Sequence, residues 1–171
     1  MYELGLLLGI CVGAAVGIAL VALLFKKRVL DCTFDERQER VRGRAFKRAF
    51  FTLVVTLFVY GFLELTLGRW CDTLAGVTVC IAVSMTVFAI NCIVKDAYIS
   101  LVEKPRQVMT LFTLLTAFNL GIGALYALNG ELVEDGILTF RAVNPIVGTM
   151  TLVVLVVYIV NFLLREKEEA E

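Results

Sequence analysis

Long apolar stretches separated by short polar connectors dominate the chain, at residues 4–25, 49–67, 73–94, 107–128 and 145–164. Each is close to the roughly 20 helical residues that cross a hydrocarbon core about 30 Å thick. In such a medium every backbone N–H and C=O must pair inside its own segment, so the runs predict α-helices. A single charged residue, Glu64, falls within them. The pattern therefore predicts an all-α polytopic transmembrane bundle. It forms one membrane domain over residues 1–171, with five helices, multi-pass in the cell membrane.

Local signals mark the ends of the predicted helices. Asp72 suits the N-cap of the third span, Pro105 the start of the fourth, and Asn144-Pro145 an N-cap followed by a first helical residue. Gly68 and Asn129-Gly130 stand where the second and fourth spans should stop. Between the last two spans, residues 136–143 alternate weakly and predict a short strand. Glu131, Glu134 and Asp135 in the same connector lack the ligand spacing of a calcium loop and read as a solvated acidic turn.

The distribution of charge adds an orientation. With the N-terminus outside and the C-terminus inside, the inner connectors and tail hold 14 of the 16 Lys and Arg residues, leaving Arg69 and Arg141 outside. Basic residues are retained on the cytoplasmic side, so this arrangement is favoured over its inverse. The first run has no basic residue before it and a basic cluster after it, so it reads as a retained helix, not a cleaved leader. Tyr2, Trp70 and Tyr126 then lie towards the outer interface and Tyr98 and Tyr158 towards the inner one, at the depth amphipathic rings prefer.

Several spans carry surfaces suited to helix packing. Gly5, Gly9, Gly13 and Gly17 recur every four residues along one face of the first, a glycine zipper that lets another backbone approach. The partner is either another helix of this chain or a second copy, which would make a homo-oligomer. In the fourth span Thr110, Thr113, Thr116 and Asn119 form a slowly turning polar stripe, followed by Gly121 and Gly123. An amide at the depth of Asn119 must face protein or water. Glu64 lies near the C-terminal end of the second span, where the helix dipole and desolvation both disfavour a carboxylate, and Arg69 is its nearest candidate partner. Together Glu64, Thr113, Thr116 and Asn119 are the candidate polar pathway of a small transporter or channel.

Composition narrows the chemistry. Hydrophobic residues make up 60% of the 171, against about 45–50% in an ordinary soluble domain. The net charge is zero, which gives no reason to expect direct nucleic-acid binding. Five cysteines without a CxxC pair and no histidine leave a metal site few ligands. No nucleotide loop, nucleophile elbow or zinc-protease motif is present, so no cofactor and no catalytic residue are expected. A membrane enzyme would want two facing carboxylates at one depth, and the spans hold only Glu64.

The most distinctive segment is the connector between the first two spans, LDCTFDERQERVRGRAFKRAFF. Thr33 and Glu36 fit a capping box that starts a basic cytoplasmic helix over 30–48, running directly into the second span. Asp35, Glu36 and Glu39 occupy its early turns and Arg40, Arg42, Arg44, Lys47 and Arg48 its later ones, an order that suits the macrodipole. Nine Lys and Arg lie between Lys26 and Arg48, more than orientation alone requires. Arg37, Arg40, Arg44, Lys47 and Arg48 are the candidate surface for anionic lipid of the inner leaflet or for a cytoplasmic protein.

The motifs Phe34-Asp35-Glu36-Arg37-Gln38 and Arg42-Gly43-Arg44-Ala45-Phe46-Lys47, followed by an aromatic-rich span and by Lys95-Asp96-Ala97-Tyr98, carry a resemblance. This part of the chain, about residues 30–100, resembles a family of small uncharacterised multi-span membrane proteins of Gram-positive bacteria that share an Asp-Glu-Arg-Gln motif. Some such proteins occur beside genes for helix-turn-helix regulators. The resemblance implies a bacterial, non-enzymatic membrane partner of a cytosolic regulatory protein and supplies no catalytic residues.

Overall fold

The computed structural model describes residues 33–101 and 105–168, with Ala15 and Ala19. The first predicted span and its glycines Gly5, Gly9, Gly13 and Gly17 lie outside the described residues. Four long helices are described: α1 (Glu36–Leu67), α2 (Thr73–Ile93), α3 (Pro105–Leu128) and α4 (Val143–Glu168). They carry the second to fifth predicted spans, and all four are long and apolar enough to cross a membrane. Among the described residues the chain is all-helical apart from a two-stranded hairpin, β1 (Val133–Glu134) and β2 (Ile137–Leu138), and a 3-10 turn at Phe140–Ala142.

In the unit formed by residues 34–99 and 104–171, α1 packs on α2, α2 on α4, and α4 on α3. The central pair is therefore α2 and α4, with α1 and α3 on its flanks. Small residues fill the contacts: Ala75, Gly76, Cys80, Ala82, Ser84, Ala89 and Cys92 are buried on α2, and Ala45 and Ala49 on α1. Ser84 donates to the Ala49 carbonyl at 2.8 Å. Between α3 and α4, glycines sit against Leu120 and Pro145. A Cβ on Gly148 would lie 2.8 Å from Leu120 Cδ2, and one on Gly123 2.8 Å from Pro145 Cβ. Helices meet closely at small residues when lipid outside is as apolar as a leucine side chain, because only tight contact then favours protein over lipid.

The large apolar side chains are turned outward. Phe58 is 66% exposed and Leu65 81%, with Phe46, Phe50, Phe51 and Phe62 similarly open on α1. A water-soluble chain buries such residues. Small residues inside and large apolar ones outside fit a helical protein solvated by lipid.

The ends of the elements follow the sequence signals with three corrections. Gly68 (φ 77°) stops α1, Pro105 opens α3, and Gly130 (φ 70°) ends it, with Glu131 N–H donating to Tyr126 O and Gly130 N–H to Ala127 O. Helix α1, however, starts three residues beyond the expected cap. Asp35, not Thr33, is the N-cap: its carboxylate accepts from Gln38 N–H at 2.6 Å and the Gln38 side chain accepts from Asp35 N–H at 3.2 Å. Asp35-x-x-Gln38 makes the same reciprocal pair as Thr-x-x-Glu, and it wins because a carboxylate is the stronger acceptor. Asp72 occupies the N-cap of α2 without a capping bond, its carboxylate being held by Arg69 at 2.7 Å and by Phe140 N–H at 3.0 Å. Asn144 lies inside α4, which begins at Val143 straight from the 3-10 turn.

Of the strand expected over 136–143 only Ile137–Leu138 forms; it pairs with Val133–Glu134 in a hairpin closed by Asp135 (φ 52°) and Gly136 (φ 77°), and Phe140–Ala142 turn helically instead. Two successive positive φ values are those of a type I′ turn, which matches the twist of paired strands.

Candidate functional site

Among the described residues a dense set of polar bonds lies at the basic end of the bundle, assembled on the turn that follows α2. That turn is a Schellman cap: Ala97 N–H donates to Cys92 O at 2.8 Å and Asp96 N–H to Ile93 O at 3.1 Å, with Asp96 at φ 54° in the position that glycine usually fills. The first turns of α1 grip it. Gln38, buried at 7% exposure, donates to Asp96 O at 2.8 Å and Ile99 O at 3.4 Å. Arg37 donates to Lys95 O at 3.3 Å and Arg42 to Ala97 O at 3.0 Å. The Arg42 guanidinium also lies over the Phe34 ring, 3.9 Å from its centroid, and near Phe88. Arg48 donates to the Asn91 side chain, and from α4 Arg165 pairs with Asp96 while Asn161 donates to Ile93 O at 3.3 Å.

The segments Asp-Glu-Arg-Gln at 35–38 and Lys-Asp-Ala at 95–97, read from sequence as separate motifs, are therefore two sides of one clasp. Of the five candidate docking residues, Arg37 and Arg48 bond within the fold, and Arg40 pairs with Glu36 one turn away at 2.5 Å on an exposed face. Arg44 and Lys47 are exposed and make no ion pair or hydrogen bond among the described residues. The cationic surface left unbonded among the described residues is smaller than the sequence suggests, and it lies on α1. Sequence reasoning missed Gln38, Arg42 and Asp96, whose partners are mostly backbone carbonyls and leave no residue-type signature.

Between α1, the turn and α4 lies a cavity of about 480 Å³ whose lining includes Asp96, Tyr98, Tyr158, Asn161 and Arg165. Tyr98 also meets Phe112 of α3, ring centroids 6.0 Å apart.

The candidate polar pathway is not gathered in one place. Thr113 donates to Met109 O at 2.9 Å and Asn119 to Leu115 O at 2.9 Å, each along its own helix. Thr116 is buried and donates to Thr151 Oγ1 at 2.9 Å, tying α3 to α4. Glu64 is half-buried near the other end of α1, and Arg69 pairs with Asp72, not with it. None of these four residues lines the cavity at the basic end, or the apolar grooves along α1 and between α2 and α4.

At that far end the Tyr60 ring rests against Gly76, where a Cβ would come within 2.4 Å of it, and meets Trp70 edge-on at 6.0 Å. Burial pushes the Cys71 thiol up from its ordinary range, and the nearby carboxylates of Glu64 and Asp72 add to the effect. No group of three metal-ligating side chains occurs among the described residues. Comparison with protein-family models, curated proteins and solved structures finds no match for the chain.

Proposed function

We propose that the chain is a five-span protein of the cell membrane, N-terminus outside and C-terminus in the cytoplasm, that works without catalysis. Its basic helix end is a docking surface for a cytoplasmic regulatory protein. The observation that carries this reading is the length of α1. Its 32 residues run without interruption for about 48 Å, about 18 Å more than a hydrocarbon core requires. The surplus is the polar end, residues 36–48, fixed upright by the clasp. Lys47 and Arg44 then stand at headgroup depth, where each gains about 1 kcal/mol from anionic lipid of the inner leaflet. Arg40 stands further out, beyond that layer and within reach of a protein.

Positive charge supports the orientation: Arg37, Arg42, Arg48, Lys95 and Arg165 meet at one end, Arg69 and Arg141 at the other. The resemblance of the Asp-Glu-Arg-Gln segment to small membrane proteins of Gram-positive bacteria supports the choice of a regulatory partner.

Reversing charge at Arg40, Arg44 and Lys47 to Glu should abolish capture of the partner in a crosslinking pull-down while leaving membrane insertion intact. Undiminished capture by the inserted triple variant would refute the docking surface. A cysteine at position 40 should resist membrane-impermeant reagents applied to intact cells, and ready labelling would invert the topology.

A further inference from the structure

The cavity at the basic end has features that the docking reading leaves unexplained. Asp96 holds a left-handed backbone conformation at the C′ position of a Schellman cap, where glycine is favoured and a side chain costs of the order of 1 kcal/mol. The carboxylate on this strained backbone meets Arg165 from α4. The pair is only partly covered, with side-chain exposures of 41% and 43%. Among the described residues Asp96 Oδ2 accepts from Arg165 Nη2 alone, so one carboxylate oxygen and most of the five guanidinium donors keep their capacity. Two phenols, Tyr98 and Tyr158, the Gln38 and Asn161 amides, which already donate to backbone carbonyls, and apolar side chains including Phe162 share the lining. The volume of about 480 Å³ falls within the range of small-ligand sites, about 300–1,000 Å³.

We propose that this cavity binds a compact ammonium–phosphate zwitterion of the phosphoethanolamine type, with the ammonium on Asp96 and the phosphate on Arg165. The two charged side chains of the lining, Asp96 and Arg165, balance each other. A ligand with a single charge would pair with one of the two and leave the other without its partner. A zwitterion instead exchanges one internal ion pair for two charge-assisted contacts and leaves the site neutral. The phenols and the apolar wall suit a headgroup whose glycerol end continues into lipid. The same zwitterion could arrive dissolved, without its acyl chains, and the experiment separates the two sources.

The purified full chain is equilibrated in detergent with equal amounts of phosphatidylethanolamine and phosphatidylglycerol, and retained lipid is read by native mass spectrometry. Soluble glycerophosphoethanolamine, a phosphodiester with the same single negative and single positive charge as the lipid headgroup, is the competitor. The wild type should retain phosphatidylethanolamine over phosphatidylglycerol by about tenfold, the value of one charge-assisted hydrogen bond, and the competitor should displace it. Binding of the soluble compound without retention of the lipid would assign the source to the aqueous side and keep the chemistry. Asp96→Gly relieves the backbone while deleting the carboxylate, so it should fold at least as well as Asp96→Asn and lose the preference. Tyr158→Phe keeps the ring and should weaken binding about threefold. Equal retention of the two lipids by the wild type, with no binding of the soluble zwitterion, overturns the proposal. So does an undiminished preference in Asp96→Gly with an unchanged thermal transition.

Discussion

The clasp makes Gln38 one of the most consequential polar residues of the fold, and its worth can be calculated. Its side chain accepts from Asp35 N–H at 3.2 Å and donates to Asp96 O at 2.8 Å, with a weaker contact to Ile99 O at 3.4 Å. At 7% exposure water has little access to replace these bonds. Gln38→Ala removes two well-made bonds, about 1 kcal/mol each, and leaves the Asp96 carbonyl poorly satisfied for about 1 kcal/mol more. The expected loss is about 2–4 kcal/mol. Two companion variants separate cap from clasp. Asp35→Ala removes only the carboxylate half of the cap, the residue-35 N–H still reaching Gln38, and should cost about 1 kcal/mol. Gln38→Glu keeps an acceptor for Asp35 N–H but sets a carboxylate against the two carbonyls, so it should cost at least as much as Gln38→Ala. Unfolding of the full chain in mixed micelles by increasing SDS, followed by circular dichroism, gives the three values. Hydrogen exchange localises the effect to the amides of residues 94–99. A Gln38→Ala loss below about 0.5 kcal/mol, or one no larger than that of Asp35→Ala, would refute the clasp as a source of stability.

Three further expectations follow from the packing and the loops. Gly148→Ala should destabilise by about 1–3 kcal/mol in the same assay, since its Cβ meets Leu120 N at 3.0 Å, whereas Gly121→Ala, with nothing within 4 Å, should be neutral or slightly stabilising. Thr116→Val should cost about 0.6 kcal/mol, the usual size of a hydrogen bond between membrane helices, and a loss above 2 kcal/mol would mean that Thr116 does more than tie α3 to α4. Cys71, 1% exposed and with its thiol pushed up by burial, should be alkylated at least tenfold more slowly at neutral pH in the folded chain than in SDS. Its raised folded value favours the protonated thiol, so its contribution to stability is present below the ordinary thiol range and declines as pH climbs through the raised value. Equal alkylation rates would contradict the burial.

Much of the helical plan is legible in the chain because the bilayer restricts the choices: about 20 apolar residues leave little alternative to a helix. Gly68, Gly130 and Pro105 were equally readable, since their backbone preferences act locally. The cap of α1 was not, because Thr33-x-x-Glu36 and Asp35-x-x-Gln38 are overlapping solutions to one problem and only the final geometry selects between them. Asn144 was misread because the preceding connector itself turns helically at Phe140–Ala142. The Asp135-Gly136 pair was a readable hairpin signal that went unused. The clasp lay beyond reach, since an arginine or glutamine that donates to carbonyls about 55 to 60 positions away looks in sequence like any other polar surface residue. The same cause inflated the docking surface: charge can be counted from sequence, but its engagement cannot.

The connector at 69–72 and the hairpin have a mechanical consequence. Asp72 N–H donates to Leu138 O at 2.7 Å, Leu138 N–H to Trp70 O at 3.0 Å, and Phe140 N–H to the Asp72 carboxylate. These stitches fasten the α1–α2 pair to the α3–α4 pair at one rim, as the Asp96–Arg165 contact fastens them at the other. A carrier that alternates its openings needs jaws that part at each rim in turn. Here parting the first rim would break three hydrogen bonds, about 3 kcal/mol in all, in addition to loosening the α2–α4 contact. The two helix pairs are thus joined by polar contacts at both rims, and the polar end of α1 is tied through the Asp96 turn to the rest of the bundle.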